Sequence, residues 1–447
     1  MKLIVPPLNI SDDDGFDPEV DIFDRKVFGE SLLNLIKNTD GELVLALDAP
    51  WGEGKSTFIK MWQGYLTQEG VSYIYFDAFE NDYQQDAFLA ISSQIYRLVD
   101  KGDKVSHKEF KEKAASALKV FGRASLRVGI KALTAVSLDE TILEDAGSIG
   151  DASNEVSGLV DNYVANQLAL AEEDRKSLQE FKKCLSSLSE RMGGESPIVF
   201  IIDELDRCKP RFALSLIESI KHLFCVPNII FLLVMNRSQI EEAVRCEYGA
   251  GVDATRYLQK FVSIWTTLPK PTGTFYSVPK KYLRDCLERM GYRAKTEAQR
   301  EAVELMEELA IYYDLSLREI ERSLTSFAII QNVTNGDMSI SHSLLSVFIS
   351  IIKSTHPGVF RELSKNRITY EEVLEEVSLN KLKIDWWSDK PEGHPIRYLL
   401  KYYLGTDEEA EELLKKGKYI NINYGRDDRG NVIPRICSWL DEFKFGL

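Results

Sequence analysis

A glycine-rich turn followed by a lysine carries the clearest chemistry in this chain. The run 43–47 is apolar and predicts a buried strand, and the turn after it contains Gly52 and Gly54. Glycines let backbone N–H groups close around phosphate oxygens, Lys55 offers a cation to the β and γ oxygens, and the Ser56 hydroxyl is a magnesium ligand. The spacing therefore predicts a P-loop that holds a nucleoside triphosphate at a helix N-terminus. The residues expected to contact the nucleotide are Pro50, Trp51, Gly52, Glu53, Gly54, Lys55, Ser56 and Thr57.

Position 49 departs from the P-loop pattern. The pattern has a glycine five residues before Gly54, and this chain has Ala49 there. Alanine is tolerated if the turn keeps a negative φ at that position and costs stability if it does not. A chance Gly-Lys-Ser sequence in an ordinary loop is the alternative interpretation, and the second half of the predicted site argues against it.

That second half is an apolar strand that ends in two acids. Residues 198–202 are all apolar, and Asp203 and Glu204 follow them. Asp203 is expected to complete the magnesium shell, and Glu204 to polarise the attacking water as the catalytic base. Buried strands that end in one acid are common. A buried strand that ends in two acids and follows a Gly-Lys-Ser turn in the chain is uncommon. The long interval between the two motifs leaves room for an intervening strand. That arrangement marks the division of NTPases that includes ring-forming and switch-type ATPases.

Three further polar residues are candidates for sensing the γ-phosphate. Asn236 follows the predicted strand 229–235 and is placed to position water, although asparagine also commonly terminates strands. Arg318, on a predicted lid helix, could report the γ-phosphate; ion pairs with neighbouring glutamates are the alternative. Arg256 lies just before a predicted last strand, Tyr257–Thr267, where it could reach a neighbouring subunit's γ-phosphate or be an ordinary surface arginine.

The elements that must position these residues follow the order of an α/β fold. The periodicity predicts a helix over 24–38 and a second strand over 71–76. Glu80, in the acidic cluster after that strand, could orient water or magnesium, and helix N-capping by the cluster is the alternative. We expect a parallel P-loop NTPase sheet with flanking helices, then an α-helical lid and a small mixed C-terminal region. The predicted divisions are an N-terminal arm at 1–20, a core at 21–270 with a helical insertion at about 101–190, a lid at 271–355 and a C-terminal region without evident chemistry at 356–447.

The insertion begins with a basic segment, 101–135. It carries nine basic and three acidic side chains, and Lys119, Arg123, Arg127 and Lys131 recur every four residues. Such a helix can dock on nucleic acid or a partner, lie on anionic lipid, or cover the core with a solvated basic face. All three interpretations stay open.

The bulk composition describes an ordinary globular chain. Hydrophobic residues make up 44% and charged residues 28%, and the net charge of −15 argues against wholesale coating of nucleic acid. The six cysteines are scattered, which favours a reducing cytoplasm, and no metal-binding cluster of cysteine or histidine is expected. We expect neither a secretory signal nor a membrane span, because no basic leader and no long uncharged apolar window occurs.

Taken together, these motifs resemble the KAP P-loop NTPases over residues 20–330. The resemblance rests on GEGKST preceded by Pro50-Trp51, on FDAFEND, on IDELDRCKP, on FVSIWTTLP and on SLREIERSL. The family's second Walker B acid is often aspartate where this chain has Glu204. The resemblance implies an ASCE-type core with a helical lid, ATP and Mg²⁺ as ligands, ATP hydrolysis and homo-oligomerisation. By analogy with bacterial members it also implies a role in phage exclusion or defence. Many members carry membrane helices where this chain has its basic segment, so membrane attachment is not expected.

Three functional hypotheses follow. The first is a cytoplasmic, oligomerising ATPase that acts as a switch or motor. The second is a nucleotide-gated assembly module with little turnover that recruits an effector protein or nucleic acid. The third is a nucleic-acid motor, supported only by the 101–135 segment and opposed by the net charge.

Overall fold

The fold is a parallel sheet covered by helices on both faces, joined to a helical lid. A computed structural model describes residues 1–98 (except 12, 40 and 85), 108–120, 172–191, 196–270, 278–382, 394–416 and 429–442. The strands in these ranges are Leu43–Asp48 (β1), Tyr73–Asp77 (β2), Ile198–Asp203 (β3), Ile229–Met235 (β4) and Ile264–Thr267 (β5).

The helices divide between the core and the lid. Those of the core are Lys26–Lys37 (α1), Lys55–Gln68 (α2), Ala78–Asn81 (α3), Ala87–Leu98 (α4), 108–120 (α5), 172–191 (α6), Pro210–Ser219 (α7), Arg237–Tyr248 (α8) and Ala254–Leu258 (α9). Those that follow are Val278–Arg289 (α10), Glu297–Tyr312 (α11), Leu317–Val333 (α12), Ile340–Thr355 (α13), Pro357–Ser364 (α14), Tyr370–Glu376 (α15), Pro395–Leu404 (α16), Asp407–Lys416 (α17) and Val432–Asp441 (α18). This is the predicted α/β class with a helical lid, and that prediction is confirmed. The described residues after 355 form helices only, where a mixed region was predicted.

The parallel strands place the two predicted motifs at the same end of the sheet, beyond the carboxyl ends of β1 and β3. The order is β2-β3-β4-β1-β5, and every pairing is parallel. Asp77 is in register with Asp203, and Asp48 with Met235. Because all strands run the same way, their carboxyl ends and the turns after them meet at this edge, where ligands bind in open α/β sheets.

Alternating side chains anchor the sheet to both helical layers. Successive residues of a strand point to opposite faces, and here both faces are apolar, as a parallel sheet requires. One face packs against α1 and α2 and includes Leu43, Leu45, Leu47, Val199, Ile201, Ile230, Leu232 and Val234. The other packs against α4, α6, α7 and α8 and includes Val44, Ala46, Phe200, Ile202, Phe231 and Leu233.

The last strand of the core is shorter than predicted, because the sequence Tyr257–Thr267 begins in a helix. Helix α9 covers Ala254–Leu258, and the strand covers only Ile264–Thr267. The Asp253 carboxylate accepts a hydrogen bond from the Arg256 backbone N–H at 3.0 Å and caps that helix. The prediction of a strand from Tyr257 was wrong because this cap outweighs the β-propensity of the following residues.

The basic segment 101–135 is described only over 108–120. There α5 buries Phe110 and Ala117 in the core, and Lys113 pairs with Glu180 of α6 at 2.9 Å. The predicted ridge beyond Lys119 lies outside the described residues. No helix in the described part of the chain combines the length and the hydropathy of a membrane span.

One hydrophobic core joins the predicted lid to the C-terminal helices. It runs from Tyr282 of α10 to Leu440 of α18 without a break at residue 355. The N-terminal arm belongs to the same unit, because Val5 lies in this core and the Lys2 backbone N–H donates to the Met290 carbonyl at 2.9 Å. The start of the arm therefore packs on the lid, whereas Phe16, later in the arm, lies in the core that the sheet forms with α1 and α2.

This core predicts a large difference between two isoleucines of the lid. Ile349 in α13 is fully buried, whereas Ile311 in α11 is 45% exposed. Ile349→Ala should lower the free energy of unfolding by about 2–5 kcal/mol, because it removes buried methyl groups and leaves a cavity. Ile311→Ala, the matched control, should change it by less than about 0.5 kcal/mol in the same denaturant titration. Equal effects of the two substitutions would contradict the assigned core.

Candidate functional site

The turn after β1 has the backbone conformation of a phosphate-binding loop. Gly52 and Gly54 have φ of +84° and +80°, in the left-handed region that favours glycine. Ala49 is not among the residues with positive φ, so alanine at that position adds no backbone strain. Helix α2 begins directly at Lys55, which aims its N-terminal N–H groups into the turn.

Lys55 is buried beneath this turn and held on three sides. Its Nζ donates to the Ala49 carbonyl at 2.6 Å and to the Pro50 carbonyl at 3.2 Å. It also lies 3.7 Å from Oδ2 of Asp206. The ammonium group is therefore fixed at the loop, where a charge taken out of water needs such partners.

Asp206 is a site residue that the sequence analysis did not identify. Its side chain has no exposed surface, and its Oδ2 accepts from Nε1 of Trp51 at 2.6 Å and from the Asn236 backbone N–H at 2.9 Å. One carboxylate thus joins the P-loop to the ends of β3 and β4. In the sequence, Asp206 was marked only by its position in the IDELDRCKP motif, and no role was predicted for it.

Asp203 and Glu204 lie against the P-loop helix, as a joint site requires. The Ser56 hydroxyl donates to Oε1 of Glu204 at 3.2 Å, and Arg207 Nε lies 2.6 Å from Oε2. Asp203 is buried, and its Oδ1 accepts from the Glu204 backbone N–H at 2.8 Å. Burial raises the pKa of both carboxyl groups above their ordinary values, and for Glu204 the neighbouring charge of Asp203 adds to the increase.

Arg25 supports the P-loop from the N-terminal side and was also missed. Its Nη2 donates to the Glu53 carbonyl at 3.0 Å and its Nη1 to the Gly54 carbonyl at 3.3 Å. Burial lowers the pKa of Arg25 to about 10, partly offset by the negative charges of Asp21 and Glu53, so the guanidinium stays charged at neutral pH. Contacts to backbone carbonyls leave no periodic pattern in a sequence. The predicted helix over 24–38 did not distinguish Arg25 from its neighbours.

The lid lies directly on the P-loop. A Cβ atom at Gly52 would lie 2.8 Å from Cβ of Arg318, at the start of α12. Two glutamates offered as alternative partners of Arg318 have other contacts: Glu319 forms a capping box with Ser316, and Glu321 accepts from the Tyr282 hydroxyl. Arg318 therefore stands at the P-loop, where it was predicted to sense phosphate.

A second contact between lid and P-loop is ionic. Lys270 Nζ lies 3.4 Å from Glu53 in the P-loop and 3.6 Å from Asp314, which precedes α12. These groups are well exposed except for Glu53, so the pairs contribute little to stability. They bridge the P-loop and the turn before α12 through one lysine.

A cavity of about 300 Å³ opens between the P-loop, the lid and the segment before α1. Its size is at the lower end for small-molecule sites. Its lining residues are Leu8, Val20, Asp21, Ile22, Phe23, Arg25, Trp51, Gly52, Gly54, Lys55, Ser56, Thr57, Met61, Glu204, Arg207, Tyr282, Leu317, Arg318 and Glu321.

Two of the predicted catalytic residues, Asn236 and Arg256, do not line this cavity. The Asn236 side chain caps α8, its Oδ1 accepting from the Ser238 N–H at 3.2 Å and from the Ser238 hydroxyl at 2.8 Å. Arg256 has an 83% exposed side chain and pairs with Asp253 at 3.2 Å. At the end of β2, the Asp77 carboxylate accepts from the Glu80 backbone N–H at 2.9 Å, so the acidic cluster there caps α3.

Comparison with known proteins agrees with this geometry. The model of the KAP family P-loop domain matches residues 25–334. The chain belongs to the KAP family of P-loop NTPases. Its match begins at Arg25 and ends just after α12, so it includes all the cavity-lining residues except the five that precede Arg25.

The comparisons with solved structures and with curated proteins add no argument about function. Among solved structures, the chain is similar to the ORC2 protein of Aeropyrum pernix in its ADPNP and ADP complexes, with 14% identity and a TM-score of 0.37 over 93% of this chain and 94% of that one. No curated protein matches the chain.

The contact between lid and P-loop makes Gly52 sensitive to a single methyl group. Gly52→Ala should weaken nucleotide binding about tenfold or more, about 1.4 kcal/mol, because the new Cβ displaces Arg318. Gly70→Ala is the control, since Gly70 also has a positive φ, +67°, but has no atom within 4 Å of the new Cβ. Both variants should lose about 1–2 kcal/mol of stability from the left-handed backbone. Only Gly52→Ala should lose affinity in equilibrium titrations; a loss of affinity in both would contradict the lid contact.

Proposed function

We propose that this KAP-family chain is a magnesium-dependent ATPase in which hydrolysis switches the lid. The observation that supports it most is the 3.2 Å contact between Ser56 and Glu204, together with Lys55 in the same cavity. This contact favours a single ligand shared by the P-loop and the acids at the end of β3. Phosphate-binding N–H groups, a lysine and paired acids are the parts that phosphoryl transfer uses.

The donor set fits a magnesium ion. Magnesium prefers hard oxygen ligands, and the Ser56 hydroxyl and the Asp203 carboxylate supply them beside the phosphate loop. Asp203 is buried, and its Oδ1 is already oriented by the Glu204 N–H, so its direction is set by the backbone. When bound, the ion would neutralise charge on the β and γ oxygens.

The side chains of the cavity then have separate roles. Lys55 and the loop N–H groups bind the phosphates, and Glu204 accepts a proton from the attacking water. Burial and the neighbouring charge of Asp203 raise the pKa of Glu204, which makes it a stronger base. Arg318 lines the cavity from the lid, so loss of the γ-phosphate would change the contacts made at the start of α12.

The second candidate, a nucleotide-gated assembly module with little turnover, also has an observation in its favour. Both carboxylate oxygens of Glu204 are engaged, one by Ser56 and the other by Arg207. Both contacts favour the charged carboxylate and so lower its basicity, which suits a site with little turnover. Steady-state phosphate release, measured beside solution mass with and without ATP, separates the two candidates.

Several finer expectations stay predictions. We propose a homo-oligomer in which the exposed Arg256 approaches a neighbouring subunit, Asn236 positions water, and the chain acts in the cytoplasm. Recruitment of an effector protein, or of nucleic acid through 101–135, belongs to the second candidate. A role in phage exclusion rests on the family resemblance alone.

Removal of the P-loop cation tests the phosphate site. Lys55→Ala should weaken MgATP binding by about 10- to 150-fold, because charge-assisted hydrogen bonds worth about 1.5–3 kcal/mol are lost. Lys60→Ala, at an exposed position of the same helix, should leave the affinity unchanged in the same calorimetric titration. Unchanged binding by the Lys55 variant would exclude the P-loop as the nucleotide site.

Removal of the base tests hydrolysis separately. Glu204→Gln should lower the rate of phosphate release by about 10²–10⁴-fold, the usual contribution of a general base, and keep its affinity for MgATP. Glu80→Gln, an exposed acid beyond the end of β2, should hydrolyse at the parent rate. A Glu204→Gln variant with normal turnover would assign the base to another residue.

A further inference from the structure

We infer that Arg207 is a positioning residue that restrains the base Glu204, and that it thereby acts as a built-in brake on hydrolysis. The inference rests on the proposed function, because it concerns the rate at which the same site turns over. It assigns a role to the one-turn helix Leu205–Arg207, which follows β3 directly after Glu204.

Glu204 has a backbone conformation that few glutamates adopt. Its φ of +58° lies in the left-handed region, which is unfavourable for a residue with a Cβ atom. Conformations of this kind persist where the surrounding structure holds them, and they are concentrated at functional sites. Here the left-handed residue turns the chain from the end of β3 into the one-turn helix. The turn brings the Arg207 side chain back against the Glu204 carboxylate.

Two buried side chains anchor the one-turn helix. Leu205 has no exposed surface and packs in the core between the sheet and α4, α6, α7 and α8. The Asp206 carboxylate is held beneath the P-loop by the contacts described above. The Arg207 backbone N–H also donates to the Glu204 carbonyl at 3.2 Å, which closes the turn. A backbone anchored in this way keeps Arg207 beside Glu204.

The contact with Arg207 holds the Glu204 carboxylate more firmly than the contact with Ser56 does. Arg207 Nε lies 2.6 Å from Oε2, whereas the neutral Ser56 hydroxyl donates to Oε1 at 3.2 Å. Two opposite charges add a Coulomb attraction that a hydroxyl group does not supply. A general base must bring an oxygen within hydrogen-bond reach of the attacking water. A rotation of the carboxylate away from Arg207 breaks the stronger contact, so the ion pair opposes that motion.

The ion pair is a restraint that can open. The side chain of Glu204 is 16% exposed and that of Arg207 is 35% exposed, so water screens their attraction. Both residues line the cavity, which gives the carboxylate space into which it can turn. Arg207 therefore reduces the fraction of time during which Glu204 is free to act, without abolishing it. Slow hydrolysis lengthens the interval during which ATP is bound, which suits a switch.

Steady-state phosphate release by the full chain at saturating MgATP tests the brake. Arg207→Ala should hydrolyse at least threefold faster than the parent chain, because Glu204 is no longer held. Arg207→Lys keeps a positive charge at this position and should stay within twofold of the parent rate. Arg211→Ala is the matched control, because Arg211 is an exposed arginine of α7 that does not line the cavity, and it should hydrolyse at the parent rate.

Three outcomes of this assay would overturn the brake and leave the proposed function intact. They are an unchanged or lower rate in Arg207→Ala, an equal acceleration in Arg207→Lys, and an equal acceleration in Arg211→Ala. Arg207→Gln removes the charge but keeps a long polar side chain, and it decides the question in the same assay if Arg207→Ala does not fold. Absence of phosphate release from the parent chain and from every Arg207 variant would overturn the proposed function, and the brake with it.

A double substitution shows whether Arg207 acts through Glu204. In the Glu204→Gln background, Arg207→Ala should change the rate less than twofold, because no carboxylate base is left to release. A threefold acceleration that persists in this background would assign the effect of Arg207 to another contact and overturn the inference.

Discussion

The buried pair formed by Lys55 and Asp206 is the constraint on which the rest of the site depends. Two opposite charges lie 3.7 Å apart beneath the P-loop, and neither side chain is more than 8% exposed. To break such a pair by removing one partner costs about 3–5 kcal/mol, because the other charge stays uncompensated. Asp206 must therefore stay under the loop. Its position fixes the turn after β3, where Glu204 and Arg207 also lie.

From this pair the geometry extends outward in both directions. Asp206 also accepts from the Trp51 indole and from the N–H at the end of β4, so one carboxylate joins the P-loop to the ends of β3 and β4. On the far side, Arg25 binds the loop carbonyls and stacks over Phe23, which belongs to the lid core. Packed and hydrogen-bonded groups thus connect the P-loop to the lid without a gap.

The parts that local pattern could predict are those whose chemistry fixes their spacing. Gly52, Gly54 and Lys55 are set by the phosphate turn, and Asp203 with Glu204 by the end of a buried strand. Asp206 and Arg25 escaped prediction because their partners are backbone groups and residues distant in the chain, which leave no period in the sequence. The strand predicted from Tyr257 failed for a local reason, since Asp253 caps a short helix there. The helices of the lid were predictable from their apolar periodicity. Their placement, with Arg318 against Gly52, depends on tertiary packing that periodicity does not encode.

The most direct test of this account is a structure of the full chain with Mg²⁺ and a non-hydrolysable ATP analogue. The account predicts the triphosphate in the turn around Gly52 and Gly54, with Lys55 Nζ about 3 Å from its oxygens. It also predicts the metal ion at Ser56 and Asp203, with Glu204 facing the γ-phosphate. A nucleotide bound outside this cavity, or a triphosphate that contacts Lys55 while Asp203 and Glu204 point away from it, would contradict the central claim that the two motifs act on one ligand.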